Sequence, residues 1–154
     1  MIAADLEHGC AVERVLPYRI GQLFELVADV ERYPEFVPGW TAARIREGGR
    51  GVYRAEQTVG FGPVRLTFGT RTVLRRPHRI EVTSDDIRFV GFKLSWTFEP
   101  QLDGRCRVRL AAVVRFRSWL LQLAADRALG AMAERTLAAF EARAGKLYGS
   151  IVEA

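Results

Sequence analysis

Few residues in this chain could do covalent or metal chemistry, and their spacing argues against both. Cys10 and Cys106 lie far apart, and neither belongs to a Cys-x-x-Cys pair. Each reads as a small buried apolar residue or an inert thiol rather than half of a redox or zinc site. His8 and His78 are the only histidines, and neither sits in a His-x-x-x-His or His-Glu-x-x-His setting. A catalytic zinc site is not expected. General acid–base work needs an ionisable group inside a cavity. Strand parity puts Glu56 and Glu81 on the wet side, which leaves Tyr53 and Arg54 as polar candidates. No catalytic residue is assigned, and an enzyme is the weaker reading.

Arginine is the chemistry that the sequence offers in quantity. Of the 23 basic residues 21 are Arg, and the net charge is +5 with an isoelectric point near 9.8. Guanidinium groups pair bidentately with phosphate, so a phospholipid surface, a ribosome or another nucleic acid is chemically permitted. Arg-rich codon usage produces the same bias, so charge does not choose among these partners. Arg65, Arg71, Arg107 and Arg109 mark the basic face expected to meet an anionic surface. Single-strand recognition interleaves aromatics with basic residues on one exposed face. Here the aromatics fall on the dry parity, and DNA is not an expected partner.

The elements that position these residues follow from periodicity. Ala11–Leu16 alternates like a short strand, Pro17 suits a helix start, and Leu23, Phe24, Val27 and Val30 recur at helical spacing. Pro34 and Pro38 restrict the next stretch to a second short helix or turn. From Trp40 to Ser118 the period becomes two. Turn signals at Gly48-Gly49, Gly60 to Pro63, Arg76-Pro77, Ser84 to Asp86 and Asp103-Gly104 divide this region into six candidate strands. Cys106, Val108, Leu110, Ala112, Val114 and Phe116 alternate with arginines, giving one dry and one wet face. Val90, Phe92, Leu94, Trp96 and Phe98 form the dry set of the preceding strand.

Trp119–Tyr148 carries no proline and reads as one long helix ending near Gly149. Its stripe comprises Leu121, Ala125, Ala128, Leu129, Met132, Thr136, Phe140 and Leu147. The expected architecture is α+β. A curved antiparallel sheet of about seven strands wraps around a long C-terminal helix, with two short helices after the first strand. Residues 1–154 make one domain, with its core over about 11–149. No apolar run is long enough to span a bilayer, and the N-terminus lacks the pattern of a signal peptide. A cytoplasmic location is expected, with peripheral contact at the inner membrane.

The helix stripe is rich in alanine and glycine while the strands opposite carry large aromatics. Small against large can be plain interdigitation. Ten small residues facing a bent sheet also make unfilled space plausible. A dry pocket of roughly 300 Å³ would cost about 7 kcal/mol, so a protein that keeps one either fills it with ligand or closes it in part. The expected walls are Tyr53, Phe68, Phe89, Leu94, Trp96, Phe98, Leu110, Val114 and Phe116 from the sheet, with Ala128, Met132 and Phe140 from the helix. Tyr53, Gln57 and Thr136 are the polar groups able to orient a head group. Gly60–Pro63 and Asp85–Gly91 are the expected mobile segments, with Phe61 and Phe89 as gate tips.

The run Leu16-Pro17-Tyr18 … Leu23-Phe24-Glu25-Leu26-Val27-Ala28-Asp29-Val30-Glu31-Arg32-Tyr33-Pro34-Glu35-Phe36-Val37-Pro38 resembles the opening of the coenzyme Q-binding, START-like family. Ala139-Phe140-Glu141-x-Arg143-Ala144 with Tyr148-Gly149 is similar to its closing helix. Val59-Gly60-Phe61 and Phe92-x-Leu94-x-Trp96-x-Phe98 lie where that family places similar strand residues. The resemblance implies a helix-grip fold and a carrier of lipid or ubiquinone that supports respiratory electron transport. A ribosome-association toxin is similar in the same motifs, and aromatic polyketide cyclases share the fold, so fold alone does not separate these roles. The gate segment Ile87–Phe92 and the strand end Val113-Val114-Arg115-Phe116-Arg117 depart from the family pattern. The basic strand end suits anionic phospholipid head groups.

Overall fold

Alternating apolar and polar residues with short turns build a meander in the computed structural model, which describes residues 9–149. Strand β1 (Gly9–Leu16) leads into helix α1 (Ile20–Ala28) and a 3-10 helix (Val30–Glu35). Six strands follow: β2 (Trp40–Gly49), β3 (Val52–Phe61), β4 (Val64–Arg75), β5 (Arg79–Thr83), β6 (Phe89–Pro100) and β7 (Cys106–Phe116). Helix α2 (Trp119–Tyr148) closes the chain. The strands form one antiparallel sheet in the order β1-β7-β6-β5-β4-β3-β2. Pairing of β1 with β7 brings the start of the domain beside the strand that launches α2. The expected helix-grip architecture is the observed one.

Local chemistry fixes how α2 leaves the sheet. Ser118 Oγ accepts the Leu121 N–H at 3.2 Å and caps the helix. Gln122 accepts the Phe116 N–H at 2.6 Å and donates to the Val114 carbonyl at 3.1 Å, tying the first turn to the end of β7. Gly149, at φ 68°, ends the helix in the left-handed region. Between the 3-10 helix and β2, Gly39 adopts φ 91°, and a Cβ there would stand 2.9 Å from the Gly60 carbonyl. Only glycine suits a junction that tight.

Two expectations about α2 change. Its buried residues are Ala125, Ala133, Thr136, Leu137, Phe140 and Ala144, whereas Leu147 is exposed. The helix packs against β1, β7 and α1, so its buried sector widens to include Leu137 and Ala133 and gives out before the last turn. Not all of its small residues face the sheet: Gly130, Ala131 and Ala142 are exposed.

The third change concerns β6. A register shift between Phe89 and Gly91 turns Val90 outward and buries Phe89, so Phe89 and Phe92 both face inward. Strict alternation assigns Val90 to the dry face, and a single bulge reverses that assignment. Leu137, fully buried, and the exposed Leu147 separate the two readings of α2. Leu137→Ala should cost about 2–5 kcal/mol in denaturant unfolding, and Leu147→Ala should stay within about 0.5 kcal/mol of wild type.

Candidate ligand-binding cavity

Two adjoining chambers lie between α2 and the concave face of the sheet. The first, about 90 Å³, is bounded by apolar side chains throughout, among them Phe61, Leu66, Phe68, Phe89, Phe92, Val114, Phe116, Ala125 and Ala128. The second, about 70 Å³, lies deeper, against Tyr33, Tyr53, Gln57, Thr72, Trp96, Leu110, Ala133 and Thr136. Trp40, Leu94, Leu129 and Met132 line both and form the partition between them. The alanines of α2 thus leave space, but large side chains break up the single pocket of roughly 300 Å³ expected from sequence. At 24 cal/mol per Å³ each chamber costs about 2 kcal/mol when dry, which a domain can bear.

The inner chamber holds a polar seam. Trp40 Nε1 donates to Gln57 Oε1 at 2.7 Å, and Gln57 Nε2 donates to Thr70 Oγ1 at 2.9 Å. Tyr53 donates its hydroxyl to the Ala28 carbonyl at 2.8 Å, and Tyr33 donates to the Val27 carbonyl. These bonds satisfy the last carbonyls of α1, which helix geometry leaves without partners. The Thr72 and Thr136 hydroxyls add further polar atoms to the lining. Burial pushes the Tyr53 phenol up to about 12, against a hydrogen bond from Thr72 that lowers it, and burial also holds Tyr33 well above the usual range. Both stay neutral near pH 7, so the chamber can offer hydrogen bonds but no charge.

The cavity collects most of the wall residues expected from sequence and leaves out two. Phe68, Phe89, Val114, Phe116 and Ala128 line the outer chamber, Tyr53, Trp96 and Leu110 line the inner one, and Leu94 and Met132 line both. Phe98 is instead core, edge-on to Phe24 at 5.5 Å. Phe140 is core as well, packed edge-on against Tyr33, Phe36 and Trp96. Strand alternation for Phe98 and helical spacing for Phe140 count both as inward-facing, but α1 and the 3-10 helix plug that end of the sheet. Trp40, Leu129 and Thr72 are lining residues that the sequence did not single out for the wall. Trp40 stands at the first position of β2, where a lone aromatic gives no periodic signal.

The gate expectation also shifts. Phe61 lies at the rim of the outer chamber, but Phe89 is a buried wall residue and not a tip. The loop before β6 is clamped. Arg88 grips Asp86 through two guanidinium bonds at 2.9 Å and donates to the Thr67 carbonyl, while Ser84 donates to the Gly69 carbonyl at 2.6 Å. The Arg88 hydrogen bonds hold the Asp86 carboxyl down to about 2. Arg117 joins the loop to β7 through the Arg88 and Ile87 carbonyls.

Of the chemistry candidates only Tyr53 lines a chamber, and the others lie apart from the cavity. Cys10 and Cys106 have thiols raised by burial, Cys106 to about 11, and neither lines a chamber. Arg54 is exposed and faces Glu47, Glu56 pairs with Arg46, and Glu81 with Arg79 and Lys93. On the outer face Arg107 lies within 4.0 Å of Glu13 and Glu99, so part of the basic surface is neutralised. Arg65 and Arg71 on β4 and Arg109 on β7 form no ion pair with a described residue.

Comparison with known proteins matches residues 16–141 to the family described as polyketide cyclase / dehydrase and lipid transport. The chain belongs to that family. The ribosome association toxin RatA of Escherichia coli K12 is 32% identical over 136 residues, covering 88% of this chain and 86% of that one. The mitochondrial coenzyme Q-binding protein COQ10 homolog B of Xenopus laevis is 31% identical over 140 residues and 88% of this chain, which spans 57% of that relative's length. The solution structure of the 18 kDa protein CC1736 of Caulobacter crescentus superposes with a TM-score of 0.77 at 36% identity, over 94% of this chain and all of that one.

The buried phenols of this START-like domain give it a defined alkaline weakness. Tyr53 has its folded pKa near 12, above the ordinary value near 10 of the unfolded chain. Its contribution is therefore complete below about pH 10 and is lost as pH rises towards about 12. Tyr33 acts in the same direction. Denaturant midpoints should fall over that window, and Tyr53→Phe should flatten part of the fall while Tyr33 keeps the rest.

Proposed function

We propose that the protein is a non-enzymatic carrier that takes an apolar lipid, foremost a polyisoprenoid quinone, into the space between α2 and the sheet. The observation that carries this reading is the pair of chambers separated by movable side chains. Met132, unbranched and adaptable, lines both chambers and is the member of the partition best able to yield to a ligand. A chain in the outer chamber would gain roughly 25 cal/mol for each Å² it buries. Gln57, Thr72 and Thr136 supply neutral hydrogen-bonding groups suited to a quinone carbonyl in the inner one. Kinship with a protein named for coenzyme Q binding supports the same ligand class. Among the described residues neither chamber is lined by a carboxylate or histidine, which favours holding a ligand over converting it.

A carrier has to load and unload at a bilayer, and one end of the domain suits that contact. Ile87 is 81% exposed and Trp119 76%, with Val90, Leu120 and Leu123 also exposed. The Arg117 bonds to the Ile87 and Arg88 carbonyls hold the loop beside the start of α2. Apolar side chains flanked by Arg115 and Arg117 match an anionic interface. Among the described residues no helix is long and apolar enough to cross a membrane.

Mass spectrometry of a solvent extract of the protein, purified from the cells that make it, tests the ligand. A quinone near one per chain, lost in Met132→Trp, is expected. Folded protein with no enriched lipid contradicts the reading. In vesicle flotation, Trp119→Asp with Leu120→Asp should reduce binding to anionic vesicles at least several-fold and leave the folded spectrum unchanged.

A second reading rests on kinship with a protein named as a ribosome association toxin. Arg44, Arg65, Arg71 and Arg75 on the outer face of β2 and β4 form no ion pair with a described residue and offer a surface for ribosomal phosphate. Co-sedimentation with ribosomes that weakens steeply with salt, and is lost in Arg65→Ala with Arg71→Ala, would favour this role.

A further inference from the structure

A third space, a surface groove of about 440 Å³, opens where the β3–β4 turn meets α2. It shares Phe61 and Ala128 with the outer chamber, and Met132 with both chambers. The groove is therefore the vestibule of the cavity, separated from it by the Phe61 ring and the Met132 side chain. Two arginines, Arg127 and Arg135, line it.

Charge pairing sets these two apart from the other arginines around α2. Of the other arginines packed on or against α2, Arg14 reaches Glu134 and Glu141, and Arg143 binds Glu35 at 2.7 Å. Arg127 and Arg135 form no ion pair or hydrogen bond with any described residue. They stand two helical turns apart, about 12 Å along the axis, with the exposed Ala131 between them. Small residues there keep the groove floor low, and Gly62 at φ 57° turns the opposite wall. Two cations without an ion-pair partner among the described residues thus flank the entrance to a chamber lined by apolar side chains.

We propose that this vestibule binds the acidic head of a single-chain lipid, a carboxylate or phosphate monoester, while the chain runs past Phe61 and Met132 into the outer chamber. The ligand lies head-out and tail-in, held by guanidinium bonds at the mouth and by apolar burial inside. This rests on the carrier reading of the chambers and adds to it a second ligand class, marked by its charge.

The test measures binding of palmitate, lysophosphatidate and the uncharged alcohol of palmitate's chain length, with inorganic phosphate and acetate as chainless controls. Wild type should bind both acidic lipids roughly tenfold tighter than the alcohol. In Arg127→Ala with Arg135→Ala the alcohol should bind as before and the acids should fall to its level. Neither control should bind measurably. Because both arginines are exposed, the variant should fold, and its unfolding midpoint checks that. Equal binding of acid and alcohol by wild type overturns the head-group site and leaves the carrier reading standing. Phosphate binding that disappears in the variant, without chain-length dependence, shows a free-anion site and overturns the proposal as well. Failure of all three lipids to bind overturns the head-group site, and the quinone reading then stands or falls on the solvent extract.

Discussion

One long helix must cover most of the concave face of a seven-stranded sheet, with α1 and the 3-10 helix closing one end, and the rest of the domain answers to that constraint. The sheet is bent and aromatic, while the helix is narrow and rich in alanine. Where α1 and the 3-10 helix add their own side chains, the space fills: Phe24, Phe98, Phe140 and Leu137 are almost wholly buried there. Beyond that plug α2 faces the sheet alone, and the chambers open. The cavity is thus the part of the interface that one helix cannot fill at ordinary packing density.

The same arrangement explains the sorting of polar groups. The carbonyls at the end of α1 require donors, and Tyr33 and Tyr53 provide them at the inner end of the cavity. Gln57, wedged between Trp40 and Thr70, is held in place from both sides. At the outer end the start of α2 is satisfied by Ser118 and Gln122, neither of which lines the chamber, and the lining there is apolar. Charge is confined to the convex face and the rims, where arginines are partly neutralised by cross-strand carboxylates. A polarity gradient running from an apolar mouth chamber to a hydrogen-bonding interior follows from the fold itself.

Periodicity carried most of the architecture, because a wet face and a dry face impose a strict pattern on residues such as Arg105 to Arg117. The meander, both short helices and the extent of α2 were legible for that reason. What alternation cannot carry is a bulge: one extra residue at Val90 exchanged its place with Phe89. Nor can helical spacing reveal how far a sheet extends beneath a helix, which decided Leu137 against Leu147. The cavity wall was legible where residues lay mid-strand, as with Phe68, Leu94 and Leu110. It was misread at Phe98 and Phe140, where packing by a distant segment rather than local pattern settles whether a buried ring meets space or other rings. The vestibule brings together a turn and a helix separated by some sixty residues, and no local signal connects them.

The central claim is that the partitioned chambers open to admit one ligand chain. Trp40 and Trp96 line the cavity, whereas Trp119 stands exposed, so fluorescence of a Trp119→Phe variant reports on the interior alone. Titration with a short-chain ubiquinone analogue, a quinone able to quench indole, measures entry directly. Saturable quenching at one equivalent is expected, abolished when Ala128→Phe fills the space beside Met132. Quenching that never saturates, or that persists unchanged in Ala128→Phe, would contradict the claim.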